Sequence, residues 1–395
     1  MAAPTGGGGS FQSPHPINSP EPGLKVAVPV PGEPMINQLF RTVMLHKGSD
    51  LHIKAGLPGM MRLRGVIQKM NTPVLSQDHM EKLCFPIMKE KDRKILDEKG
   101  GCDFAHVIGS DEARYRVNLF KQRGKLAMVA RLVNQSIPSF EKLGLPATIE
   151  TLCHYEQGMV LLAGVTGSGK STTIASMLDY MNSVEALHIL TIEDPIEFTF
   201  TDKMSIVNQR EVFLDVSDWH TALKHAVRED PDVILVGEMR DAETFEAAVH
   251  AAETGHVVLG TIHASNAFST IDRILGLFPP SQHGAVRQSM VFNLRAVVAQ
   301  KLVPSCRPGV SRVPTNEIMI VNPTIRELIL KHKDEKLLDA IRAFYNEGMM
   351  DFNESLRQLV ERGDIDKATA LEFSPNADQL KMMIKGIKVA ASGLV

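Results

Sequence analysis

One stretch of this sequence groups residues whose chemistry belongs together: Gly164-Val165-Thr166-Gly167-Ser168-Gly169-Lys170-Ser171. It fits the pattern G-x-x-x-x-G-K-[ST]. The glycines let backbone N–H groups close around the α- and β-phosphates of a nucleotide. Lys170 supplies a point charge to the β- and γ-phosphates, and the Ser171 hydroxyl has the reach to ligate Mg2+. Gly164, Thr166, Gly167, Ser168, Gly169, Lys170, Ser171 and Thr172 are therefore the candidate phosphate-binding set. Hydrolysis also needs carboxylates, and two acidic strand ends offer them. Ile189-Leu190-Thr191-Ile192 runs into Glu193-Asp194-Pro195-Ile196-Glu197, and Asp232-Val233-Ile234-Leu235-Val236-Gly237 runs into Glu238. A carboxylate there can hold Mg2+ or orient an attacking water. A third apolar run, Val257 to Ile262, ends in His263, a candidate sensor of the γ-phosphate. A strand-end acid that meets solvent, or a histidine that only satisfies its neighbours, is the plain alternative, and the phosphate loop tips the balance against it.

These residues need a scaffold that brings strand ends together. Strands are expected at 158–164, 188–192, 232–237 and 257–262, and helices at 170–182, 217–228 and 242–253. Such alternation predicts a mainly parallel sheet covered by helices, with ligands at the C-terminal strand ends. From His283 onward helices are expected to dominate, with a possible strand at Thr315 to Ile320. Upstream, residues 35–137 read as a smaller α+β domain. A helix is expected from Ile36 to Met44, strands near Ser49 to Ile53 and Met61 to Met70, and two charged helices after Ser76 and from Lys89 to Lys99. A meander over Asp103–Ile108, Ala113–Lys121 and Lys125–Val133 completes it. Residues 138–145 read as a linker, 146–375 as the nucleotide-binding domain with a helical C-terminal part, and 376–395 as a C-terminal tail. Residues 1–34, with eight prolines and six glycines, read as a disordered tail.

Composition narrows the function. The 395 residues hold 43 Lys+Arg against 46 Asp+Glu, a net charge of -3, and only 5% are aromatic. Neither a global basic field nor a set of stacking platforms is present, so a nucleic-acid motor is disfavoured. No N-K-x-D-like guanine reader occurs, which favours ATP over GTP. No apolar run approaches a bilayer span, and no signal peptide is evident, so the expectation is a cytoplasmic protein without a transmembrane segment. The four cysteines form no CxxC pair, so no zinc site is expected.

The phosphate loop, the two acidic strand ends and His263 follow one another as Walker A, aspartate box, Walker B and histidine box do in the secretion-type (type II/IV secretion) P-loop ATPases. The wording Thr191-Ile192-Glu193-Asp194-Pro195-Ile196-Glu197-Phe198, Val207-Asn208-Gln209-Arg210-Glu211-Val212, Gly237-Glu238-Met239-Arg240-Asp241 and Ala252-Glu253-Thr254-Gly255-His256 resembles the branch that retracts type IV pili. The resemblance implies a RecA-like ATPase domain behind a PAS-like N-terminal domain, assembled as a homohexamer. It implies ATP and Mg2+, with Glu238 positioning the attacking water and Glu197 assisting, or the reverse. Ser171, Glu197 and Glu238 would be the residues nearest the metal. It also implies arginines from the N-terminal domain at the phosphates, for which Arg116 and Arg131 match best.

As partners it implies an inner-membrane platform protein, with the chain peripheral at the cytoplasmic face, and a paralogous retraction ATPase. The segment Thr324-Ile325-Arg326-Glu327-Leu328-Ile329 resembles the branch's A-I-R-N-L-I motif, but Thr324 and Glu327 depart from it. The alternative is an assembly ATPase that extends a pilus or serves type II secretion. Those relatives typically carry a tetra-cysteine zinc insert, which this chain lacks.

Overall fold

Periodic apolar residues and turn chemistry shape the first part of the chain. The computed structural model describes residues 23–110 and 112–387, and they divide into two units between Gln135 and Ser136. In the first, helix α1 (Ile36–Leu45) buries Ile36, Leu39, Phe40 and Val43 on one face. Six strands form an antiparallel sheet: β1 (Asp50–Lys54), β2 (Met60–Leu63), β3 (Val66–Lys69), β4 (Gly101–Ile108), β5 (Ala113–Gln122) and β6 (Lys125–Leu132). Their order is β3-β2-β1-β6-β5-β4. The strand expected over Met61–Met70 is in fact the β2–β3 hairpin, turning at Arg64-Gly65. Helix α2 (Gln77–Cys84) starts at Ser76, whose hydroxyl accepts from the His79 N–H, and α3 (Glu90–Lys99) follows. The Tyr115 hydroxyl is buried and donates to the Phe40 carbonyl at 2.8 Å, tying sheet to helix.

The tail expected over residues 1–34 is too long at its C-terminal end. Residues 1–22 lie outside the described residues, but Leu24 donates to the Lys69 carbonyl at 2.9 Å and accepts from the Asn71 N–H at 2.8 Å. Ala27 donates to the Thr42 hydroxyl at 3.0 Å, and Glu33 pairs with Arg41 at 2.6 Å. Backbone pairing at a sheet edge leaves no apolar period, so composition alone could not show it.

The second unit begins with two short helices, α4 (Phe140–Leu143) and α5 (Thr148–Leu152). The stretch expected to be a linker, 138–145, thus contains a helix and the buried Leu145. A seven-stranded sheet follows: β7 (Gly158–Ala163), β8 (His188–Glu193), β9 (Ile206–Glu211), β10 (Val233–Val236), β11 (Val257–Ile262), β12 (Leu294–Pro304) and β13 (Arg312–Ile320). Its order is β13-β12-β7-β11-β10-β8-β9, parallel throughout except for the antiparallel β12–β13 pair. Every residue of β7, β10 and β11 is buried. Met159, Leu161 and Ala163 pack on one face of the sheet, Val160 and Leu162 on the other, as a sheet covered on both sides requires.

Helices α6 (Lys170–Val184), α7 (Trp219–Ala226) and α8 (Ala242–Glu253) flank the sheet, and α9 (Ala267–Leu275) follows β11. The rest are α10 (His283–Asn293), α11 (Pro323–Leu330), α12 (Leu337–Ala343), α13 (Phe352–Glu361), α14 (Lys367–Phe373) and α15 (Ala377–Ile384). The C-terminal tail expected over 376–395 is shorter, because α15 buries Leu380 in a cluster with Leu356 and Leu359; residues 388–395 lie outside the described residues. Among the described residues no helix is long and apolar enough to cross a membrane.

Candidate nucleotide site

Strand register brings the chemistry together. Ala163 at the end of β7 pairs with Ile262 at the end of β11, so the phosphate loop and His263 leave the sheet side by side. Val236 of β10 lies between Gly260 of β11 and Ile192 of β8, so Glu238 and Glu193 emerge at the same edge. A cleft of about 530 Å³ opens there, lined by Thr166 to Thr172, Glu193, Asp194, Glu197, Glu238 and His263. Phe198, Phe200, Trp219 and Leu302 add apolar wall, and Arg240 and Arg312 add charge. The Asp194–Pro195 peptide is cis.

The loop is held by backbone geometry. A Cβ on Gly164 would lie 2.3 Å from the Ser168 hydroxyl and 2.7 Å from the Gln300 carbonyl. Gly169 has φ +89° just before α6, and a Cβ there would meet the Gln300 amide at 2.8 Å. Only glycine tolerates both demands. Lys170 Nζ lies across its own loop, 2.6 Å from the Gly164 carbonyl and 3.2 Å from that of Val165. Burial pulls the Lys170 pKa down, while Glu238 and Glu197 push it up.

Gln300 braces the loop from β12. Its amide donates to the Ser168 carbonyl at 2.9 Å, and its carbonyl accepts from the Thr173 hydroxyl at 2.8 Å and the Asn316 amide at 3.0 Å. The buried Ser168 hydroxyl has no hydrogen-bond partner among the described residues. An orphaned hydroxyl in a cradle of N–H groups at a helix start suits a phosphate oxygen.

Glu238 sits between two cations or potential cations. One oxygen is 2.6 Å from Arg240 and the other 3.2 Å from His263 Nε2. The Arg240 hydrogen bond pulls its pKa below the usual carboxylate range against the opposing effect of burial. Glu193 behaves oppositely. Burial pushes it up to about 6, although the Thr191 hydroxyl, the Glu197 N–H and the Gln209 amide all donate to it.

Arg116 and Arg131 belong to the first unit. They stand directly opposite each other on β5 and β6. Arg131 donates to the buried Asp50 at 2.8 Å. Burial raises the Asp50 pKa, but the bonds from Ser49 and Arg131 outweigh it and the net shift is downward.

Sequence reasoning did not single out Glu193, Arg240, Gln300 or Arg312. Glu193 and Arg240 were within reach, since each is four residues or fewer from a chosen glutamate. Gln300 was not, because its strand lay in a stretch expected to be helical.

The model of the type II/IV secretion system protein family matches residues 29–366. The chain belongs to this family. Within it, the chain is 43% identical over 337 residues to the type IV pilus retraction ATPase PilT of Pseudomonas aeruginosa, covering 85% of this chain and 97% of that protein. It is 38% identical over 348 residues to the type IV pilus ATPase PilU of the same organism, covering 88% and 91%. A twitching motility protein of Neisseria gonorrhoeae is 39% identical over 345 residues, covering 87% and 92%. The crystal structure of the pilus retraction motor PilT with bound ADP superposes with a TM-score of 0.77 at 42% identity, covering 87% of this chain and 98% of that one. The Legionella pneumophila ATPase DotB gives a TM-score of 0.74 at 25% identity, covering 93% and 100%. The secretion ATPase fold is therefore that of this chain.

Proposed function

We propose that this chain is an ATP-hydrolysing motor that drives type IV pilus retraction, working as a homohexamer against a platform protein at the cytoplasmic face of the inner membrane. A paralogous ATPase is a further partner in this reading, since one organism among the relatives carries both the retraction ATPase PilT and the type IV pilus ATPase PilU. The observation that carries the reading is the single cleft in which the phosphate loop, Glu197, Glu238 and His263 converge, in a chain 43% identical to a retraction ATPase.

In this reading Lys170 and the loop N–H groups bind the phosphates of ATP, and Thr166, Ser171 and Thr172 add hydroxyls. Ser171, Glu197 and Glu238 are the residues that would hold Mg2+, which supplies charge neutralisation on the phosphoryl oxygens; a site of this kind uses one or two carboxylates together with substrate phosphates. Glu238, its carboxylate kept ionised by Arg240, orients the attacking water, and Glu197 assists. His263, in contact with Glu238, registers whether the γ-phosphate is present. Arg116 and Arg131 neutralise charge on the transferred group. Release of the γ-phosphate contacts is the event that would change the motor's conformation.

The test is to delete the gene and complement it with wild type or Lys170→Ala, counting surface pili and assaying ATPase on the purified proteins. Retraction predicts hyperpiliated, non-twitching cells that only wild type rescues, and turnover lost by at least about 100-fold in the variant. Bald cells would assign the motor to pilus assembly, and unchanged turnover in Lys170→Ala would remove the site.

A further inference from the structure

The turn that carries Glu197 is built differently from an ordinary loop. Between β8 and β9, three of its backbone N–H groups are accepted by side chains. The Ile196 N–H points to Glu211 at 3.4 Å, the Glu197 N–H to Glu193 at 3.3 Å and the Phe200 N–H to the Gln209 carbonyl at 3.0 Å. Gln209 also grips the turn from its other end, donating to the Phe198 carbonyl at 2.8 Å and to Glu193 at 3.2 Å. The Thr191 hydroxyl fixes the same Glu193 oxygen at 2.8 Å.

Both glutamates are buried, while Glu197 itself is exposed to the cleft. Burying a carboxylate costs free energy unless its hydrogen bonds return it. A turn that needed only to be closed would be served by apolar packing or by solvent. Two buried carboxylates and a doubly engaged amide instead fix where one residue points.

We propose that Glu193, Gln209 and Glu211 are positioning residues for Glu197, clamping the backbone of the acidic turn so that its carboxylate faces the phosphate loop. The clamp spans two strands. Glu193 ends β8, Glu211 ends β9 and Gln209 lies two residues before it, held in register by parallel pairing of Thr191 with Gln209 and of Glu193 with Glu211. This gives the segment Gln209-Arg210-Glu211 a role that its place on an edge strand does not by itself suggest. None of the three needs to touch ATP. Glu193 acts through the main chain of Glu197 itself, and Glu211 and Gln209 act through the main chain of its neighbours Ile196, Phe198 and Phe200.

The inference rests on the reading of Glu197 as part of an ATPase site, and a double-mutant cycle on the full chain separates the two. Steady-state ATPase is measured for Gln209→Leu, Glu197→Gln and the double variant, with single-turnover measurements where rates are low. Positioning predicts that Gln209→Leu lowers kcat about tenfold while KM for ATP stays within about twofold. It further predicts that the same change costs less than about twofold in the Glu197→Gln background, because residues acting through one group are not additive.

Gln209→Asn, which keeps the amide but shortens its reach, is expected to lose nearly as much and covers the case in which Gln209→Leu does not fold. Losses that multiply in the double variant would overturn the clamp, as would wild-type turnover in Gln209→Leu or Gln209→Asn. Wild-type turnover in Glu197→Gln alone would overturn the site reading instead.

Discussion

Glu193 and Glu317 are both strand glutamates buried in the same sheet, and both accept one backbone N–H from a neighbouring segment. Their surroundings then part. Glu193 is the last residue of a parallel strand and also receives the Thr191 hydroxyl and the Gln209 amide; burial still lifts its pKa to about 6. Glu317 lies within antiparallel β13, opposite Ala299, and accepts from the Ala267 N–H at the start of α9 at 2.7 Å. Burial pushes it up to about 7, Asp351 adds to the rise, and Lys301 and Arg342 only partly oppose it. One carboxylate holds the turn that carries Glu197. The other holds the N-terminus of a helix, where a negative charge is welcome. A strand-end glutamate becomes part of a site because a parallel sheet delivers its strand ends to one edge; a mid-strand glutamate in the antiparallel pair stays structural.

The sharpest way to break this contrast is to delete each carboxylate. Glu193→Ala is expected to lower ATPase turnover on the order of thirtyfold, about 2 kcal/mol of transition-state stabilisation. Glu317→Ala should change kcat by less than about threefold and appear instead as lost stability in urea melts. Equal kinetic losses would erase the distinction.

A second effect of comparable size concerns pH. A glutamate whose folded pKa lies above its unfolded value stabilises the fold at low pH, and that contribution is lost as pH rises from about 4.5 toward the folded pKa of about 7. Glu317→Gln, which keeps an acceptor for Ala267, should therefore flatten the decline and gain about 2–3 kcal/mol at pH 8. For Glu193 the corresponding window closes at about 6. The smallest expected effect is that of Thr191→Val. Removing that donor raises the Glu193 pKa further and moves the acidic limb of the kcat–pH profile upward on the order of half a unit. An unmoved limb would mean that Glu193 does not act while ionised.

Much of this site could be read from residue order. The phosphate loop, both acidic strand ends and His263 follow apolar runs that the structure places in β7, β8, β10 and β11. Parallel pairing does the rest, because it puts successive strand ends at one edge. What could not be read has a common cause. Strand β12 includes Ala296-Val297-Val298-Ala299, buried on both faces; such a run has no period of two and is indistinguishable from a buried helix segment. Losing β12 meant losing Gln300, the brace of the loop. Strand β9 was hidden for the opposite reason, being partly exposed and polar at the sheet edge. In the segment Thr324–Ile329, which departs from the A-I-R-N-L-I wording at Thr324 and Glu327, the apolar Ile325, Leu328 and Ile329 are buried on one helix.

The order of strands has one more consequence. The phosphate loop grows from β7, which has parallel neighbours on both sides, whereas the acidic turn stands between β8 and the edge strand β9. Releasing the root of the loop would mean prising apart the middle of the sheet, an opening close in free energy to global unfolding. The acidic turn can be freed by peeling a single outer strand. The two halves of the candidate site thus differ in how readily they can breathe: the half that carries the glycine-rich loop is anchored in the interior of the sheet, and the half that carries Glu197 sits at its edge, where local opening costs less.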